Sequence, residues 1–177
     1  MKKICVFCGS SKPENHTKLE NEVISLGNLI LKKKLQLVYG GAKIGLMGLV
    51  ANTILEGGGY VTGIIPKLLS KKEIINKEVS DLIIVNNMHE RKKKMYNLSD
   101  AFIILPGGIG TLEEFSEITT WKILGIEKKP IFILNFDGFY NHLIKQFEVM
   151  EKYNFLYSDI LKEVIIINSI SDLDSLL

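Results

Sequence analysis

The stretch that most limits how this chain can fold is 100–117, DAFIILPGGIGTLEEFSE. Five apolar residues, from Ala101 to Leu105, run into Pro106-Gly107-Gly108. An apolar run of that length, closed by proline and glycine, reads as a strand buried on both faces, the kind found in parallel sheets. Ile109-Gly110-Thr111 then opens a helical segment that continues to Leu124. Glycines let the backbone come close to a ligand, and a helix start turns its free N–H groups and positive dipole end towards it. Such a turn suits a phosphate. Glu113, Glu114 and Glu117 crowd the same helix start with acid, so part of the ligand must call for a carboxylate. Phosphate at one end and carboxylate at another is the pattern of a sugar phosphate.

The strand-to-helix pattern repeats along the chain. Apolar runs at 3–8, 35–39, 60–65, 82–85, 101–105, 130–134 and 164–167 read as strands. Helical spacing marks 14–34, the segment up to Glu56, 88–98, 109–124 and 140–153, with a closing helical turn at 171–177. The polar segment 67–78 reads as a loop or short helix. Strands alternating with helices across short connections define a doubly wound, Rossmann-type α/β fold. About seven mainly parallel strands are expected, with helices on both faces, in a single domain spanning 1–177. Ligands of such sheets bind at the carboxyl ends of the strands, where all the glycine turns fall.

With 22 basic and 20 acidic residues the net charge is +2, which gives no electrostatic footprint for nucleic acid. No apolar run reaches the roughly 18 residues of a membrane span, and the opening MKKICVFCGSS reads as a first strand rather than an export signal. A cytoplasmic location is expected. Cys5 and Cys8 have redox-motif spacing but fall in a strand pattern, so they should be buried thiols pointing to opposite faces.

Three turns can converge on one anion: Gly9-Ser10-Ser11, Gly40-Gly41, and the run Gly107, Gly108, Ile109, Gly110, Thr111. None is the dinucleotide fingerprint or a P-loop. On the segment 88–95, helical spacing groups Met88, Arg91, Lys92 and Met95. With the methionines towards the sheet, Arg91 is drawn inward, where it needs an anionic partner. Lys93 and Lys94 suit a solvated face. His89 has no second ligand at metal spacing, so no metal is expected. A carboxylate at Glu114, one helical turn past the glycines, can stabilise an oxocarbenium-like sugar or activate water, whereas dipole and surface suffice for Glu117.

Pro106-Gly-Gly-Ile-Gly-Thr-Leu-Glu-Glu114, with Gly40-Gly41, Gly45-Leu-Met-Gly48, Met88-His-Glu-Arg91-Lys92 and Thr119-Thr120-Trp121, resembles the LOG family of cytokinin riboside 5′-monophosphate phosphoribohydrolases. The resemblance extends from Cys8 to the final strand. It implies hydrolysis of AMP or an N6-modified AMP to free base and ribose 5-phosphate, with no cofactor. It also implies that Arg91 and Glu114 form the catalytic pair. By the same resemblance, Ser10, Gly40, Gly41, Glu73, Lys92, Gly107 to Thr111, Leu112, Glu113 and Thr120 line the nucleotide site, and the protein is a homodimer. An older label for such sequences is lysine decarboxylase, for which no lysine here has a suitable setting. The competing expectation is a non-catalytic nucleotide or molybdenum-cofactor carrier on the same scaffold. A carrier needs the phosphate turn but not the Arg91–Glu114 pair.

Overall fold

The structure is a computed structural model; it describes residues 2–11, 13–14, 17–70, 75–126, 128–156 and 160–177. Among them, strands β1 (Lys3–Phe7), β2 (Gln36–Tyr39), β3 (Val61–Pro66), β4 (Asp81–Val85), β5 (Ala101–Ile104), β6 (Ile131–Leu134) and β7 (Ile165–Ile167) form one sheet. Its order is β4-β3-β2-β1-β5-β6-β7, and every pairing is parallel. The expected fold class is therefore observed. The helices are α1 (Thr17–Lys32), α2 (Gly45–Glu56), α3 (Lys67–Ser70), α4 (Met88–Leu98), α5 (Ile109–Ile123), α6 (Asn141–Lys152), α7 (Ile160–Glu163) and α8 (Ile170–Asp174).

Period-two alternation splits the strand side chains between two apolar layers. Ile4, Val6 and Cys8 pack with Leu26, Ile30, Val50 and Leu173 from α1, α2 and α8, whereas Cys5 and Phe7 pack with Met95, Phe115 and Ile118 from α4 and α5. Both cysteines are free and buried, on opposite faces as their spacing requires. The segment 67–78 yields the short helix α3, while residues 71–74 lie outside the described residues. The short helix α7 carries no periodic signal of its own; it forms because Ile160 finds a place in the second layer.

The topology fixes where a ligand goes. Successive strands step outward from β1 to β4 on one side and from β5 to β7 on the other. The loops leaving β1 and β5 therefore diverge to opposite faces and open a crevice at their carboxyl ends.

Candidate active site

The crevice floor is backbone. Gly9 N–H donates to the Pro106 carbonyl (3.2 Å), and the Gly9 carbonyl accepts from the Leu46 (3.1 Å) and Met47 (3.4 Å) amides. The Leu46 and Met47 amides at the start of α2 are occupied by the Gly9 carbonyl, so the second turn supports the floor. Gly45 permits that support: it has φ +62°, and a Cβ there would overlap the Ser10 backbone. Gly41 faces the other way, its carbonyl accepting from Asn76 N–H (2.9 Å).

The third turn is different. α5 begins at Ile109 without a side-chain cap, so its leading N–H groups face the cleft, as the start of any helix leaves them. Space beside Gly108 and Gly110 is open, Gly107 lies against the Thr111 hydroxyl, and Thr111 itself is buried. Leu112 turns inward and packs on the second apolar layer.

Beside this turn lies a cleft of about 340 Å³ lined by Cys8, Ser10, Met47, Leu69, Met88, Arg91, Glu113 and Glu114, together with the turn itself. Arg91 and Glu114 are each only 5% exposed. The Arg91 Nε donates to the Ile64 carbonyl at 3.2 Å, and Nη1 approaches the Met88 sulfur at 3.8 Å. Nη1 also lies 3.8 Å from Glu114 Oε1, an ion-pair separation but too long for a hydrogen bond. The guanidinium crosses directly over Gly40, where a Cβ would collide with Nη2. Gly40 thus acts by leaving room for the arginine.

Burial pushes the Glu114 carboxyl up from its ordinary value to about 7. The Arg91 charge opposes that rise, Glu113 adds to it, Lys92 opposes it and Glu117 adds to it. A carboxyl poised near neutrality in a cleft is suited to proton transfer. The Cys8 thiol beneath it is held well above its usual range by burial and then by Glu114, and so stays protonated.

Lys92 is 7% exposed, next to Arg91 in sequence but in a different role. Its ammonium bonds Glu113 Oε1 and lies 3.1 Å from Glu117 Oε2, which ties α4 to α5. Burial disfavours its charge, yet the bonds to Glu113 and Glu117 outweigh this and hold its pKa above the ordinary value. Glu117, expected at the surface as a dipole partner only, is instead half of this clamp. Met88 also departs from expectation: it is exposed at the cleft wall rather than facing the sheet, while Met95 is fully buried. The helical period predicted the shared face, but α4 starts at Met88, beyond the edge of β4, where the sheet no longer covers it.

Thr120 is exposed and donates to the Ser116 carbonyl (2.7 Å), well down α5 from the glycine turn. Glu73 lies outside the described residues. Three wall residues had no sequence signal: Cys8 and Met47 look like core residues, and Leu69 falls in the segment without clear periodicity.

A parallel sheet with an uncapped helix start beside a buried arginine–glutamate pair defines a Rossmann-type protein with a polar cleft at its strand ends. Comparison with known proteins narrows the class. Residues 47–176 match the family model described as possible lysine decarboxylase. Cytokinin riboside 5′-monophosphate phosphoribohydrolase LOG7 of Arabidopsis thaliana is 48% identical over 143 residues, covering 81% of this chain and 65% of that protein. A probable enzyme of the same name, LOGL1 of Oryza sativa, is 46% identical over 157 residues, 89% of this chain and 70% of the relative. The chain thus spans about two thirds of the length of these relatives. It belongs to the LOG family. Solved structures of the molybdenum cofactor carrier protein of Chlamydomonas reinhardtii (19% identity, TM-score 0.73, 99% of this chain and 96% of that one) and the molybdenum cofactor binding protein of Rippkaea orientalis (24%, 0.69, 99% and 95%) share the fold.

Proposed function

We propose that the protein hydrolyses the N-glycosidic bond of a nucleoside 5′-monophosphate, AMP or an N6-modified AMP, to the free base and ribose 5-phosphate. The observation that carries this reading is the buried Arg91–Glu114 pair one helical turn from the open start of α5. Phosphate sits on the α5 amides and the Thr111 hydroxyl, which sets the ribose over Glu114. The C1′–N bond breaks with its electron pair leaving on the base, and the cationic sugar is stabilised by the Glu114 carboxylate. Water then attacks C1′ and gives its proton to Glu114, whose affinity for protons near neutrality fits a base. That proton passes through solvent to the departed base, so that the neutral base leaves and Glu114 returns to its carboxylate. Arg91, anchored on the Ile64 carbonyl, keeps Glu114 in place and its charge partly compensated.

The names of the relatives support the reaction class. Decarboxylation of lysine finds no support, since no lysine is among the described residues lining the cleft. A carrier on this scaffold has no need of a buried Arg–Glu pair. We also infer a homodimer: Met88 and Ile109 stand exposed in the cleft wall, an apolar rim that a second copy would cover. A cytoplasmic location belongs to the same proposal.

The test is incubation of the purified protein with AMP and with N6-isopentenyl-AMP, following free base and ribose 5-phosphate. Binding of both without cleavage of either would sink the reading.

A further inference from the structure

A second cavity, of about 500 Å³, meets the first over the ends of β1 and β5; the two share Gly9, Ser10 and Gly108 in their walls. Its chemistry is unlike that of its neighbour. Leu19, Leu46, Pro106, Phe136 and Phe139 supply most of its surface, and no lysine or arginine is among its described lining residues. The described part of this lining offers a phosphate chain no cation to end on. Its volume and apolar lining instead suit a flat ring system.

The far wall is a built platform. Asn135 accepts from the Tyr140 amide (2.8 Å) and donates to Asn141 (2.8 Å), which fixes the turn after β6. Tyr140 is buried, its hydroxyl donating to the Leu105 carbonyl (2.7 Å). Phe139 packs edge-on against Tyr140, ring centroids 4.8 Å apart, yet is itself 53% exposed. An exposed aromatic ring held in place by a buried neighbour is what a nucleobase stacks on.

We propose that this cavity receives the second base of a dinucleotide whose adenylate half occupies the Arg91–Glu114 cleft. The placement of the adenylate half rests on the function proposed above. Its 5′-phosphate on the start of α5 is then joined through a phosphoanhydride to a second phosphate towards Gly9 and Ser10, and the diphosphate linkage crosses the shared backbone wall. The second nucleoside descends between Phe139 and Leu46. A mononucleotide leaves this cavity unused. The ligand class is a 5′,5′-linked dinucleotide, bound at the crevice where the strand order reverses, as in other doubly wound sheets, although the glycine fingerprint after the first strand is absent.

The test compares the affinities of AMP, ADP-ribose and diadenosine diphosphate for the wild-type protein and for Phe139→Ala, alongside release of adenine from AMP. Base stacking predicts that diadenosine diphosphate binds roughly tenfold tighter than ADP-ribose, which lacks the second base. Phe139→Ala should erase that advantage while AMP affinity and adenine release stay unchanged. Equal affinity of the two diphosphates, an advantage that survives Phe139→Ala, or equal weakening of AMP by the substitution would each overturn the proposal. Cleavage of AMP without the dinucleotide advantage removes only this inference. The advantage without any cleavage removes only the proposed reaction.

Discussion

Arg91 and Lys92 are neighbours on one helix, both buried cations facing glutamates of α5, yet they are held in opposite ways. Lys92 is satisfied: it bonds Glu113 and lies 3.1 Å from Glu117. Arg91 stays 3.8 Å from Glu114 and spends its Nε on a backbone carbonyl instead. The first arrangement closes two helices together; the second keeps a carboxylate desolvated and incompletely paired. A fully bonded carboxylate would have its pKa driven down and be inert near neutrality. The loose pair preserves reactivity, and the tight pair beside it holds the frame in which looseness is tolerated.

The largest test of this contrast is Glu114→Gln, which should lower kcat by about 10²–10⁴-fold. The folded-state pKa of Glu114 lies above its ordinary value. Ionisation therefore costs the native state stability as pH rises from about 4.5 to 7, and the cost is fully present above 7. Removing the charge should relieve a penalty of the order of 3 kcal/mol at pH 8. Glu114→Gln should therefore melt higher than wild type at pH 8 and alike at pH 4, by calorimetry. A lower melting temperature at pH 8 would mean that the pair is structural.

Gly40→Ala comes next. The new methyl meets the end of the Arg91 side chain and crowds the Met47 sulfur, both ends of flexible side chains, so the fold should persist while kcat falls by about 10²-fold through misplacement of Arg91. Unchanged kinetics would separate Arg91 from the chemistry. The pH dependence of kcat/KM should show an ascending limb with its midpoint near 7, where Glu114 becomes a carboxylate; a rate flat from pH 5 to 8 would exclude it as the base. Lys92→Met should have the mildest effect on turnover. It should cost about 1–3 kcal/mol of stability by denaturant titration and move the ascending limb to higher pH. The shift follows because Lys92 lowers the Glu114 pKa, whereas Glu113 and Glu117, released from it, raise it.

The difference between the two cations also marks the limit of what the sequence reveals. The alternation of apolar runs and helical segments carried the sheet, because buried parallel strands are almost purely apolar and their glycine-ended turns are unambiguous. The bounds 88–98 for α4 match those observed, since Asn87 caps the helix through the Glu90 amide (2.9 Å). Helical spacing likewise marked Arg91 as inward. Helical position singled out Glu114, but it did not foresee that Glu113 and Glu117 share Lys92, which needs the crossing of α4 over α5. Nor did it foresee that Gly40 makes room for a side chain 51 positions later in the sequence, or that the β6 turn would hold an exposed phenylalanine beside the crevice. Contacts between distant turns are set by tertiary packing and leave no periodic trace.

The bonds that Gly9 makes to Pro106, Leu46 and Met47 involve main-chain atoms only. No change of side chain can tune them one at a time. Divergence on this scaffold must therefore act through the walls, such as Met47, Leu69, Met88 and Phe139, while the floor is inherited as a block. A chain that loses the floor loses the junction of its first, second and fifth strand ends as well. Defects there should be selected against as failures of folding before they are visible as failures of binding.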